Sequence, residues 1–175
     1  MNSMTSFRYK DAGASLKVII SIFLLFVGLG YVLGLINIYN HTGMSYTGVV
    51  VNYRGEEGET MPPEFAFAKL VNENHFHVFA LSMLFFMIGI LFTFTSLPEV
   101  FKCGFVAAPF VGMFLDFAGL WLTAFSSPLF GWLTIVCGGF MAFSFFMLIG
   151  RPLYEMWVLP IWRLKWQDNI PWYLR

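Results

Sequence analysis

The chain has 175 residues, enough for one domain, with 58% hydrophobic residues, 20% aromatic residues (22 of them Phe) and 11% charged residues. A water-soluble domain carries about 25% charged residues, so this chain lacks the polar surface to coat a globule, and the same numbers exclude disorder. Two cysteines exclude a disulfide scaffold, and a formal net charge of zero gives no sign of a nucleic-acid partner. The composition is that of an integral membrane protein.

Four apolar runs have the length of membrane spans. They cover about 18–39, 76–97, 104–125 and 128–149. Each is about 22 residues, or roughly 33 Å as helix, enough to cross a ~30 Å hydrocarbon core. Short links between the later runs predict an all-α, four-helix, up-down-up-down bundle in a single transmembrane domain. The first run is too long for a signal-peptide core and lacks a small-x-small cleavage site, so it is expected to stay as helix 1. No internal repeat relates the two halves, which disfavours an inverted-repeat transporter.

Eight of the ten Lys and Arg residues fall in the N-terminal tail, the 98–103 turn and the C-terminal tail; the exceptions are Arg54 and Lys69. By the positive-inside rule both termini face the cytoplasm and the 40–75 loop faces outward from the inner membrane, periplasmic in a Gram-negative cell. Within that loop, Tyr46–Tyr53 reads as a short extended piece and Glu64–Asn74 as a helix lying on the membrane surface. Its acids Glu56, Glu57, Glu59, Glu64 and Glu73 outweigh Arg54 and Lys69, giving a net charge of −3. The loop is expected to order only against a basic partner. The 150–175 tail holds Trp157, Trp162, Trp166 and Trp172 beside Arg163 and Lys165, a pattern suited to the headgroup layer or to a docking partner.

All three histidines fall at one membrane face: His41 past helix 1, His75 and His77 at the start of helix 2. Imidazole is the commonest ligand of transition metals and haem iron, so His41, His75 and His77, with Glu73 one turn before His77, are candidate ligands for a haem b or a metal. The competing reading is interfacial histidines bonded to headgroups or to the loop. His75 and His77 lie about 200° apart on a helix and cannot share one face. Asp116 interrupts span 3 near the bilayer midplane. No basic residue occupies any span, so it is expected either as a neutral structural carboxyl or as a proton-transfer or quinone-contacting group. Gly30 and Gly34, with Gly28, form a small-residue face in helix 1 that predicts close helix packing. Cys103 and Cys137 fit no CxxCH pattern, which excludes covalent haem attachment. No phosphate loop, HExxH or nucleophile elbow is present, so a catalytic role is not indicated.

Four phrases, Tyr39-Asn40-His41-Thr42-Gly43, Tyr53-Arg54-Gly55, His75-Phe76-His77 and Pro152-Leu153-Tyr154-Glu155-Met156-Trp157, give residues 18–157 a further reading. The chain resembles a family of small four-helix inner-membrane proteins encoded near multihaem c-type cytochromes. The resemblance implies an electron-transfer setting at the outer membrane face, without identifying a ligand. Two functions are then expected. One is a membrane-anchoring, non-catalytic subunit of a respiratory complex that docks an outer-face electron carrier such as a multihaem c-type cytochrome. The other is a cofactor-free subunit that stabilises a larger membrane assembly through contacts with other subunits and the bilayer.

Overall fold

A computed structural model describes residues 8–56 and 59–160, apart from the side chains of Lys10, Glu59 and Thr60. Its elements in chain order are α1 (Ala14–Thr42), α2 (Tyr46–Arg54), β1 (Gly55–Glu56), β2 (Glu59–Thr60), α3 (Pro63–Thr93), α4 (Glu99–Phe125) and α5 (Gly131–Leu153). Short 3-10 turns at Tyr9–Asp11 and Pro128–Phe130 precede α1 and α5, and a π-helical turn, Tyr154–Val158, extends α5. Among the described residues, four helices are long and apolar enough to cross a membrane. The all-α membrane bundle expected from the sequence is the observed fold, with one antiparallel pair of two-residue strands added at its edge.

Side-chain pairings fix the helix directions. Phe85 meets Phe110 while Phe92 meets Phe105, so α3 and α4 are antiparallel. A Cβ at Gly112 would touch Met141, and one at Gly119 would touch Thr134, so α4 and α5 also run oppositely. Tyr31 stacks on Phe145 at 3.8 Å and Trp157 Nε1 donates to Ser21 at 2.8 Å, which sets α1 antiparallel to α5. Leu24, Phe85, Ile88, Phe92, Phe145 and Leu148 are wholly buried where these helices meet. The outward faces are equally apolar: Phe26 and Phe114 are each 71% exposed and Phe79 70%. Water would not tolerate such a surface, and hydrocarbon suits it.

Helix α3 runs unbroken from Pro63, so the segment expected as a surface helix is the first part of the second span. Pro62 and Pro63 set its start: proline lacks an amide hydrogen, and the first turn does not need one. Residues 46–54 are helical where an extended piece was expected. Ser45 caps them by accepting from the Gly48 amide at 3.0 Å. Gly43, at φ +60°, ends α1 in the left-handed conformation that suits glycine, and its amide donates to Tyr39 O at 2.7 Å. The next turn presses against this end so closely that a Cβ on Gly48 would lie 1.8 Å from Thr42 O.

The small-residue face of α1 does less packing than its spacing suggests. Gly28 meets Ile149, but among the described residues nothing lies within 4 Å of a Cβ built on Gly30 or Gly34. Helices α4 and α5 approach closely at Gly119, where an added Cβ would stand 2.6 Å from Thr134 Oγ1 and 3.0 Å from its amide nitrogen.

The end of the bundle that holds the start of α1 is closed by Glu155. This buried carboxylate accepts from the Ser96 amide (2.8 Å), the Ser96 hydroxyl (2.7 Å) and Arg151 Nε (2.8 Å), tying the α3–α4 turn to the end of α5. Pro152 removes one backbone donor just before the widened turn that presents Glu155. Tyr9, fully buried, donates its hydroxyl to Leu91 O at the same end. Trp157 belongs to this end too; Trp162, Arg163, Lys165, Trp166 and Trp172 lie outside the described residues.

Candidate functional site

The polar groups of interest gather at the opposite end, where α2 and the β1–β2 pair cap α3, α4 and α5. Helix α2 is short and only its Val49–Tyr53 side is buried, at the i, i+4 spacing of one helical face. Val49 and Tyr53 pack with Leu70 and Leu120 into a small second core. Tyr46 stacks on Trp132 at 5.2 Å, and Phe67 stands edge-on to Trp121.

Polar bonds then pin the cap. Arg54 Nη1 donates to Thr123 O at 2.9 Å, satisfying a carbonyl that the C-terminus of α4 leaves free and setting positive charge at the negative end of the helix dipole. Lys69 Nζ donates to Asn52 O (3.0 Å) and Oδ1 (2.7 Å) and lies 4.9 Å above the Tyr53 ring. The Tyr53 hydroxyl donates to Glu73 Oε2 at 2.7 Å. Burial, the Glu73 bond and the nearby carboxylates all raise the Tyr53 pKa, so the phenol stays neutral. The described part of the 40–75 loop is therefore folded onto its own bundle, contrary to the expectation that it orders only against a partner.

The candidate ligands stand apart from one another. His41 is exposed in the last turn of α1, with Nδ1 donating to Asn37 O at 3.0 Å. His75 is exposed among Phe76 and Phe79. His77 donates from Nδ1 to Glu73 O at 2.7 Å, with its ring edge-on to Phe117. A carbonyl only accepts, so in His41 and His77 the proton sits on Nδ1 and Nε2 is left as the basic nitrogen. Glu73 lies one turn before His77, as expected, yet its carboxylate is turned to Tyr53. Among the described residues no three His, Cys, Asp or Glu side chains come together as a metal-holding group. His41, His75, His77 and Glu73 do not form such a group among the described residues.

Asp116 lies on the α5-facing side of α4. Its Oδ1 would stand 3.7 Å from a Cβ on Gly138, and its backbone carbonyl accepts from Thr134 at 3.5 Å. Among the described residues its carboxylate has no hydrogen-bond partner. Sequence reasoning passed over Tyr53, Arg54, Asn52 and Lys69 as chemistry, although the Tyr53-Arg54 phrase and the Val49/Tyr53 spacing pointed to them.

No curated protein and no solved structure matches this chain. Residues 43–160, which include the whole cap and the last three spans, match a transmembrane helical domain family. The chain belongs to that family of transmembrane helical domains.

Proposed function

We propose that this protein is a membrane-anchoring, non-catalytic subunit that presents the α2 cap as a preformed acidic docking platform for a basic extramembrane partner. The observation that carries the reading is the cap's attachment to the bundle through Arg54–Thr123, Tyr53–Glu73 and Lys69–Asn52. These bonds use the two cations of the loop internally. Glu56, Glu57, Glu59 and Glu64 are left as a concentrated run of acids in the sequence. A platform ordered in advance avoids the entropy cost of ordering on contact, and its charge speeds encounter with a basic surface. The excess of basic residues toward the other end supports, by the positive-inside rule, an outward-facing cap. The electron-transfer setting implied by the sequence resemblance makes a c-type cytochrome the partner to try first.

Replacing Glu56, Glu57, Glu59 and Glu64 by Gln should leave the bundle folded and weaken co-purification of the native partner most at low salt, since screening already suppresses these contacts at high salt. Equal recovery of the partner at low salt would refute the platform. A haem b or metal on His41, His75 or His77 would use these imidazoles singly or with ligands from a second chain, since the three form no common group among the described residues. A reduced-minus-oxidised spectrum of the intact assembly, lost on replacing these histidines by Ala with assembly unchanged, tests that part. The cofactor-free subunit is the reading that survives if the spectrum is featureless.

A further inference from the structure

Arg54 gives one N–H to Thr123 O, and among the described residues no carboxylate pairs with it. A guanidinium carries its N–H donors in a planar fork, so most of the bonding capacity of Arg54 is unused. The side chain stands half-buried in the wall of a half-open cleft of about 90 Å³ at the cap. The other walls include Tyr53 of α2, Pro63 and Ala66 of α3, and Ala124 and Phe125 of α4. The Met61 amide donates to Arg54 O at 2.8 Å, so β1 and β2 double back and bring the start of α3 beside Arg54. The Tyr53 hydroxyl is already given to Glu73. Arg54 is therefore the one cation of a mainly apolar cleft. Glu56 follows it by two residues and Glu64 adjoins Pro63; both acids are exposed, and neither is ion-paired among the described residues.

The depth of the cleft is set by α4, whose 27 residues span about 40 Å, more than a ~30 Å hydrocarbon core. Its Phe125 end thus reaches the headgroup layer. Tyr46, Trp121 and Trp132 gather at the same end, as amphipathic rings do at an interface. Toward the membrane interior, Phe67 stands edge-on to Trp121, which in turn lies against Phe125. An apolar track so leads from the cleft into the bilayer.

We propose that this cleft is a headgroup site for a phospholipid bearing a primary ammonium, of the phosphatidylethanolamine class. The phosphodiester accepts from the unused edge of the Arg54 guanidinium, a charge-assisted bond in a partly dry cleft. The ammonium donates to Glu56 or Glu64 at the rim, and the acyl chains follow Phe67, Trp121 and Phe125. A phosphatidylcholine headgroup has no N–H to give these carboxylates. Phosphatidylglycerol brings no cation, and its net negative charge meets two acids. Cation and acids together select a zwitterion with N–H donors rather than any anion. Glu56 and Glu64 border the docking platform too, but lipid binding is measured on the purified chain without a partner, so either reading can fail alone.

The test is native mass spectrometry of the full chain, purified in detergent and titrated with dioctanoyl phosphatidylethanolamine, phosphatidylcholine or phosphatidylglycerol. Phosphatidylethanolamine should bind about tenfold more tightly than the other two, the effect of one charge-assisted hydrogen bond. Glu56→Gln with Glu64→Gln changes exposed groups outside the cap's internal bonds and should erase that preference. Ala124→Leu, which fills the cleft, and Arg54→Lys, which keeps the charge but loses the fork, should each weaken binding several-fold, with hydrogen exchange across 46–61 still low. Soluble phosphoethanolamine should compete only weakly, since it lacks the chains. Equal binding of the three lipids, or a preference that survives the double Gln variant, overturns the headgroup assignment. Unchanged binding in Ala124→Leu with the cap folded overturns the cleft as its place. Soluble phosphoethanolamine binding as tightly as the lipid overturns the lipid in favour of a free phosphomonoester.

Discussion

The Glu155 latch sets a measurable stability at the end of the bundle opposite the cap. Its carboxylate gathers two donors from Ser96 and one from Arg151 while being only 6% exposed. Hydrogen bonds to a charged group contribute about 1.5–3 kcal/mol each, but Ser96 is exposed and Arg151 partly so, and both regain solvent when the acceptor is lost. Glu155→Ala should therefore cost about 2–4 kcal/mol rather than the simple total. Glu155→Gln keeps one oxygen for Ser96 and loses the charge opposite Arg151, so it should cost about 1–2 kcal/mol. Arg151→Met leaves both Ser96 bonds in place and should cost less than about 1 kcal/mol, as partly exposed ion pairs do. Unfolding by SDS titration in mixed micelles measures each variant. A cycle with Ser96→Ala and Glu155→Gln should show a coupling of about 1 kcal/mol. A Glu155→Ala protein within about 0.5 kcal/mol of the parent, or a cycle without coupling, would refute the latch.

Gly119→Ala should destabilise the bundle by about 1–3 kcal/mol in the same titration, because its methyl meets the Thr134 backbone, whereas Gly30→Ala and Gly34→Ala should change little. Tyr9 and Tyr53 both have raised pKa values, from burial first and then from neighbouring carboxylates. The unfolded phenols ionise near pH 10 while the folded ones keep their protons, so the stability they contribute is complete below pH 10 and is lost as pH rises beyond it. Alkaline unfolding followed by tyrosinate absorbance should start near that pH and be less steep in Tyr53→Phe. Arg54→Met should release the cap without unfolding the spans: hydrogen exchange should rise in 46–61 and remain low in α4 and α5. Equal exchange in the cap would show that Arg54 does not hold it.

The four spans were legible because lipid asks for little beyond length and apolarity, and 18–39, 76–97, 104–125 and 128–149 each lie largely or wholly within a span helix. Their ends were less legible. Residues 63–75 carry Glu64, Lys69 and Glu73, charges that end a hydropathy run without ending a helix, so α3 begins a dozen residues before its apolar stretch. Residues 46–53 hold three consecutive β-branched valines, Val49, Val50 and Val51, which suggest extension. Ser45 as cap and burial of Val49 and Tyr53 against Leu70 and Leu120 override that preference, because tertiary packing outweighs a weak local propensity. The Gly30/Gly34 spacing is a true pattern that meets no neighbour among the described residues, since spacing reveals a smooth face and not what lies against it.

The same limit explains the site. Histidines drew attention by residue type, but type does not determine convergence: His41, His75 and His77 share an end of the molecule and point to different neighbours. What joins α2 to α3 is a tyrosine, whose phenol would pass unnoticed in a chain with this many aromatics. The one-turn spacing pairs Glu73 with His77, but Tyr53 captures the Glu73 carboxylate from another helix at 2.7 Å. A long-range bond of this kind follows from α2 folding back over α3, and that fold depends in turn on Gly43 and Gly48 admitting the tight reversal after α1. Gly48→Ala is consequently the sharpest probe of the whole cap. Its methyl cannot be placed beside Thr42 O without moving α2, so the Tyr53–Glu73 bond and the acidic platform should be lost together while the spans persist. A Gly48→Ala protein that kept low exchange across 46–61 would show that the cap is held by its contacts with α3 and α4 alone.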